Sequence, residues 1–454
     1  MVIMKKFDKD KYLKNLKFKR NLTKYGKYFY IGVPCVLAVV AGIYFAYSKF
    51  TVSKDAEVVK TTVGKFIHGD VVIGAYINGE YSNTIPGKND GYVVKSVSCD
   101  NNATGSWDKD AWGIALTNMT KRTKCNIYFE TKKNSVNDVI NEAVNTNSSM
   151  FASDDTDKNV RYVGANPNNY VYFNCSDHNN PTADTCELWR IIGVFNNVTK
   201  SDGSKENLVK IIRADSLGNY SWDSSDSSVN NGYGVNDWTD ADAMKLLNPG
   251  YDSESVGGSL YYNAKSGTCY YGRNNATTSC DFTSTGLKND ITRNAIEEVV
   301  WNLGGTNTYN SASNGLASHW YGYERRTTVY SGRPTTWTGK VGLMYPSDYG
   351  YATSGGTTKD RAACLAKELY NWDSSDFSDC KGNDYLFDAN NVQWTLAPYS
   401  AGADGVFRVL RGGGVYSNRA SITGAVRPVL FMKSNIQVDK GTGAKSDPYQ
   451  LKMQ

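Results

Sequence analysis

Histidine is almost missing from this 454-residue chain: there are three, His68, His178 and His319, far apart and in no ligand-spaced pair. Their scarcity removes the usual bases and ligands of metallohydrolase chemistry. A serine nucleophile is equally unsupported, because no G-x-S-x-G elbow occurs. Nucleotide binding lacks its loop: GTGAKS at 441–446 has the lysine and serine but not the first glycine. No two cysteines have the spacing of a zinc knuckle. The alternation of Asp155, Asp157 and Asn159 imitates a calcium loop, but Val160 stands where glycine is needed and Asn166 where glutamate is needed. No cofactor and no metal are therefore expected. Proline is also scarce, at 10 residues.

Positive charge is missing from most of the chain as well. The net charge is +5, yet residues 1–30 alone hold ten Lys/Arg against Asp8 and Asp10, so the remainder is slightly acidic. A field confined to one arm excludes a nucleic-acid-binding body. Behind that arm, YFYIGVPCVLAVVAGIYFAY at 28–47 carries no charge, and tyrosines lie at both ends. Twenty helical residues span about 30 Å, one bilayer core. A cleaved signal would need a shorter apolar core and a small-residue site, which SKFTVSKDAE does not offer. The expectation is a single transmembrane helix at the cell membrane, with the basic N-terminus cytoplasmic and everything after Phe50 extracellular.

Nine cysteines agree with an oxidising location. With Cys35 in the membrane, eight remain in four sequence-local couples: Cys99 with Cys125, Cys175 with Cys186, Cys269 with Cys280, and Cys364 with Cys380. Each is expected to form a disulfide.

Periodicity divides the ectodomain. After the cytoplasmic arm (1–27), the helix (28–47) and a polar stalk (48–64), residues 65–132 alternate as half-buried strands: VVIGAYI, YVVKSVS, WGIALT and CNIYFE. They are read as a small all-β domain. SVNDVINEAVN has helical spacing behind a candidate N-cap, Ser135, with Asp138 three residues on; with the polar tract after it, 133–159 reads as a linker. From 160 to 454, strand-like runs (YVYF, WRIIGVF, LVKIIRA, FRVLR, VRPVLFM) mix with three helix candidates, TDADAMKLLN, NDITRNAIEEVVWNL and TKDRAACLAKELYNW. These helices are too few for alternating βαβ units, so the class is α+β. Tyrosine is abundant, at 32 residues, and 319–353 is dense in rings, which suits either strand packing or a contact surface.

FRVLRGGGVYSNRASITGAVRPV resembles the closing signature of the formylglycine-generating enzyme family, a variant of the C-type-lectin fold. Arg408, Val409, Arg411, Gly412, Gly413, Arg419 and Arg427 match; Gly414, Val415 and AVR depart from its serine, tryptophan and GFR. The copper-holding cysteine pair of those enzymes has no counterpart, since no cysteine follows Cys380. WRIIGVF, NLGG, VGLMYPSDYGYAT, WTLAPYS, AVRPVLFMKS and GTGAKSDPYQL together resemble a family of membrane-anchored bacterial surface proteins whose C-terminal domain is akin to that lectin-like fold. The resemblance implies a lectin-like domain at 160–454 that binds an extracellular glycan or protein without covalent chemistry. A structural envelope protein, or a relative of the formylglycine-generating oxidases, are the alternatives. Loops near the signature would gather Trp394, Tyr399, Tyr416, Asn418 and Arg419, with Trp320 and Tyr321 as neighbours, into a ligand-binding face. The three glycines are expected to form a tight bend.

Overall fold

The computed structural model describes residues 59–61, 71–88, 90–132, 134–224 and 230–453. The basic arm, the apolar run 28–47 and most of the stalk lie outside the described residues. Among the described residues no helix is long and apolar enough to cross a membrane. The chain divides into two units, residues 1–132 and 133–454.

The first unit is all β. Strands β1 (Val59–Thr61), β6 (Gly113–Thr117) and β5 (Thr104–Asp108) form one sheet, with β1 parallel to β6. The second sheet has the order β3 (Glu80–Ser82), β2 (Val71–Ile77), β7 (Thr123–Thr131), β4 (Tyr92–Cys99). β1 falls within the segment expected to be stalk, so Val59–Thr61 belong to a sheet of this unit. Along β7 the buried residues Thr123, Cys125, Ile127 and Phe129 alternate with more exposed ones, as a strand with one covered face requires. Cys125 stands opposite Cys99 in the β4–β7 register, and the two form a disulfide. Trp107 meets Trp112 and Phe129 edge to face at 5.2 and 5.6 Å, closing the small core.

The second unit is α+β and dominated by sheet. It opens with helix α1 (Val136–Thr146), whose N-cap Ser135 and Asp138 form a reciprocal capping box. Val136 and Ile140 of α1 are buried in this unit's core, so the segment expected to be a linker is an integral element of it. The larger sheet runs β16 (Ile296–Glu297), β24 (Val429–Met432), β12 (Lys205–Arg213), β11 (Glu187–Thr199), β9 (Val160–Tyr162), β8 (Phe151–Ala152). β10 (Tyr170–Phe173) also pairs with β11, and β19 (Val341–Gly342) with β24. β9 passes so close to β11 that the carbonyl of Val160 occupies the place a Cβ would take on Gly193; only glycine fits there.

A second sheet has the order β13 (Asn219–Ser221), β23 (Thr423–Ala425), β20 (Gln393–Pro398), β21 (Gly405–Val409), β22 (Val415–Arg419). Three two-stranded ribbons complete the strands: β14 (Ser266–Tyr270) with β15 (Thr277–Asp281), β17 (Val299–Asn302) with β18 (Thr336–Gly339), and β25 (Gln437–Lys440) with β26 (Gln450–Lys452). The remaining helices are short: α2 (Asp242–Leu247), α3 (Asp290–Asn294), α4 (Ala317–Glu324), α5 (Pro346–Tyr351), α6 (Arg361–Leu365) and α7 (Ser378–Gly382). Cys175–Cys186, Cys269–Cys280 and Cys364–Cys380 are disulfide-bonded, so all four expected pairs form.

Charge is buried inside this unit. Arg161 of β9 lies between Asp155 (2.8 Å) and Asp348 of α5 (2.9 Å), and Lys210 of β12 binds the other oxygen of Asp348. Burial alone would raise the Asp348 carboxyl, but Lys210 and Arg161 outweigh it and hold it below its ordinary value. Glu324 of α4, fully buried with Ser347 donating to it, is driven by burial up to about 7. The segment that imitates a calcium loop is spent on this cluster: Asp155 also accepts from Asn159, and Asp157 accepts from Tyr321.

Candidate ligand-binding face

The glycine run forms the β21–β22 turn. Gly413 N–H donates to the Leu410 carbonyl at 2.8 Å, and its φ of 97° is left-handed, where a side chain would be strained. The turn is tied down from below: Tyr349 hydroxyl donates to the Gly413 carbonyl and Lys381 Nζ to that of Gly412. The glycines therefore shape and seat a hairpin, and its outer strand, β22, is the edge of its sheet.

Of the seven expected face residues three are buried, two half-buried and two exposed. Trp320 is buried with its ring 4.6 Å from Phe407. Trp394 is buried, donating through Nε1 to the Tyr220 carbonyl at 3.0 Å. Tyr321 is buried, its hydroxyl linked to Asp157 and Asn159 and its ring capped by Arg325 at 3.3 Å. None of the three offers a ring face to solvent: burial of apolar area holds all three inside, with the polar tips of Trp394 and Tyr321 hydrogen-bonded and Trp320 Nε1 left without an acceptor among the described residues. Tyr399 is half-buried against Phe407. Tyr416 is half-buried and lies on Tyr370 with ring centroids 4.1 Å apart; burial, then the Tyr370 hydroxyl, pushes it above the ordinary tyrosine range. Asn418 and Arg419, at the end of β22, are exposed.

Arg419 has acquired partners that sequence reasoning missed. Its guanidinium lies 3.5 Å from the ring centroid of Tyr233, and Arg273 lies 4.1 Å from the same ring. Both arginines are exposed and Tyr233 is half-buried. Asp404 stands 3.8 Å from Arg419, a loose contact that leaves much of the guanidinium free. The one available signal was Gly-Tyr-Gly at 232–234, where left-handed glycines flank the half-buried tyrosine.

The surroundings are rigid. Ser421 N–H donates to the Tyr233 carbonyl, and Ala420 N–H to that of Asp404. Asn236, buried, donates through Nδ2 to the carbonyls of Tyr399, Gly402 and Gly405 and so staples the 399–405 loop. Arg333 braces the same loop through Asn236 and the Ala403 carbonyl. Tyr233, Arg273, Arg419, Asn418 and Asp404 thus form a surface of two guanidiniums against one ring, their fork-shaped donors and one acceptor.

No protein-family model matches the chain, no curated protein matches it, and no solved structure matches it. Among the described residues no group of three or more His, Cys, Asp or Glu side chains is placed to hold a metal ion.

Proposed function

We propose that this is a cell-surface binding protein, anchored by a membrane helix at 28–47 with its N-terminus in the cytoplasm, whose C-terminal unit is lectin-like and recognises an extracellular glycan or protein without covalent chemistry. The observation that carries the reading is the half-buried ring of Tyr233 with two exposed guanidiniums against it on a stapled surface. Stacked arginines keep most of their N–H donors, and planar donors beside a ring face suit acidic groups on a polymer or a folded partner. An acidic glycan or an acidic protein surface is therefore the ligand. The four disulfides support an oxidising compartment. They also leave no free thiol among the described residues, which weighs against the oxidase alternative.

The test is a glycan and protein array probed with the purified full chain in detergent. A hit should favour acidic members, and the double variant Arg273→Ala/Arg419→Ala should lose tenfold or more in affinity, about 1.4 kcal/mol or more, with an unchanged melting temperature. A hit indifferent to both substitutions would move the face elsewhere.

A further inference from the structure

A second concavity shares no residue with that face. It has a volume of about 460 Å³ and is lined by Ala214, Asp215 and Ser216 after β12, by Tyr385 and Phe387 to Asn391 before β20, and by Arg427 before β24. Arg427 is more than nine-tenths buried, yet it makes no ion pair among the described residues. Its Nε donates to the Arg213 carbonyl at 3.1 Å, and Nη1 to the Leu386 carbonyl at 3.2 Å and Gln393 Oε1 at 2.8 Å. Nη2 has no acceptor among the described residues. A buried cation with only neutral acceptors is costly unless something else compensates it.

Arg190 deepens the imbalance. It is also more than nine-tenths buried, its guanidinium 4.8 Å from the ring of Tyr385, and its Nη2 is buried without an acceptor. Burial, and then the proximity of Arg190, push Arg427 down to about 10. Opposite these cations the rim is acidic and amide-rich. Asp388 accepts from the backbone N–H groups of Asn390 (2.8 Å) and Asn391 (3.3 Å) and from the Asn391 side chain (2.9 Å), which fixes its loop. On the other side the Asp215 and Ser216 carbonyls accept from Arg213, itself paired with Glu187 at 3.2 Å. Both walls are braced from behind.

We propose that this cavity binds an acidic sugar residue, its carboxylate taken by Arg427 and its hydroxyls by Asp388, Asp215 and the amides of Asn390 and Asn391. A bare inorganic anion would meet the two rim carboxylates unfavourably. A sugar acid offers one negative group to the buried guanidinium and several hydroxyl protons to the acidic rim, and the cavity lies within the usual range for small-molecule pockets. Both charge signs are then used.

The experiment is saturation-transfer NMR on the purified full chain in detergent with D-glucuronate, D-galacturonate, N-acetylneuraminate and N-acetylmuramate, with D-glucose as the neutral control and with sulfate, which has no proton to observe, as an inorganic competitor. At least one acid should bind with a dissociation constant of about 1 mM or tighter and at least tenfold more tightly than glucose or sulfate. Arg427→Gln should abolish that binding. Because this side chain is buried and the variant could unfold, Asp215→Ala, on the exposed rim, is the second arm: a fivefold or greater loss at an unchanged melting temperature is expected. Absence of binding by all four acids, equal binding of glucose or sulfate, or indifference to Asp215→Ala would each overturn the assignment.

Discussion

The two units solve the same problem, burying enough surface to fold, with different materials. The small one uses alternation, an aromatic trio and one cross-strand disulfide, and its ion pair of Lys95 with Glu130 is exposed. The large one buries seven tryptophans essentially completely and buries Arg161, Lys210, Asp155, Asp348 and Glu324 as well. A unit of some 65 residues has little core to spare and leans on its covalent link. A larger unit can bury charge, but each charge then depends on its partner. The same contrast bears on recognition: with seven tryptophans committed to the core, the second unit has arginines, asparagine and the half-buried Tyr233 left for its surface.

The largest expected effect follows from Asp348. Asp348→Ala leaves Arg161 and Lys210 facing each other without their shared carboxylate, and should destabilise the second unit by about 3–5 kcal/mol. Hydrogen exchange read separately over the two units would show the loss confined to residues 133–454. Equal loss in both would dissolve the distinction drawn between them. The mirror experiment removes Cys99 and Cys125 together as alanines. About 2–4 kcal/mol should disappear from the first unit, with exchange in the second unchanged.

A smaller effect is set by pH. Glu324 is raised from its ordinary value of 4.5 to about 7 by burial. The folded state therefore holds a proton that the unfolded chain has already released. That contribution is fully present below about pH 4.5 and is lost as pH rises to about 7, on the order of 3 kcal/mol in all. Asp242, raised to about 8 by burial and then by Asp223, acts in the same direction. Asp348, held low, acts oppositely and only in acid. Denaturant titrations of the second unit should show stability falling from pH 5 to pH 8, and Glu324→Gln should flatten part of that slope. A rise over the same interval would contradict the burial of these carboxyls.

Much of the frame was legible because local chemistry and tertiary packing agreed. VVIGAYI is a strand over Val71–Ile77, and Ser135 with Asp138 caps α1 as their spacing implies. Where the two conflicted, packing won. NDITRNAIEEVVWNL reads as one helix, but only Asp290–Asn294 is helical: Ile296 pairs with Met432 on β24, and the stretch from Val299 forms a ribbon with β18. The β-branched residues there tolerate the extended form, and the neighbouring strands supply the hydrogen bonds. The site was less legible for a different reason. Ring density marks contact area without saying inside or outside, and α4 directs Trp320 into the apolar core and Tyr321 into the Arg161 cluster. Arg419 could be identified from its exposed polar surroundings. Its partners Tyr233 and Arg273 are 186 and 146 residues away in the chain, and no local pattern joins them.

The smallest effect on stability is also the most informative about function. Arg419→Ala on the exposed end of β22 should change the melting temperature little, since exposed arginine contacts contribute about 1 kcal/mol or less. The decisive measurement is the affinity of the full chain for its best acidic array ligand, compared between the parent and Arg273→Ala/Arg419→Ala. A loss of tenfold or more with both units still folded is the expected result. Unchanged affinity in a folded double variant would contradict the claim that two arginines on one tyrosine ring form the binding face.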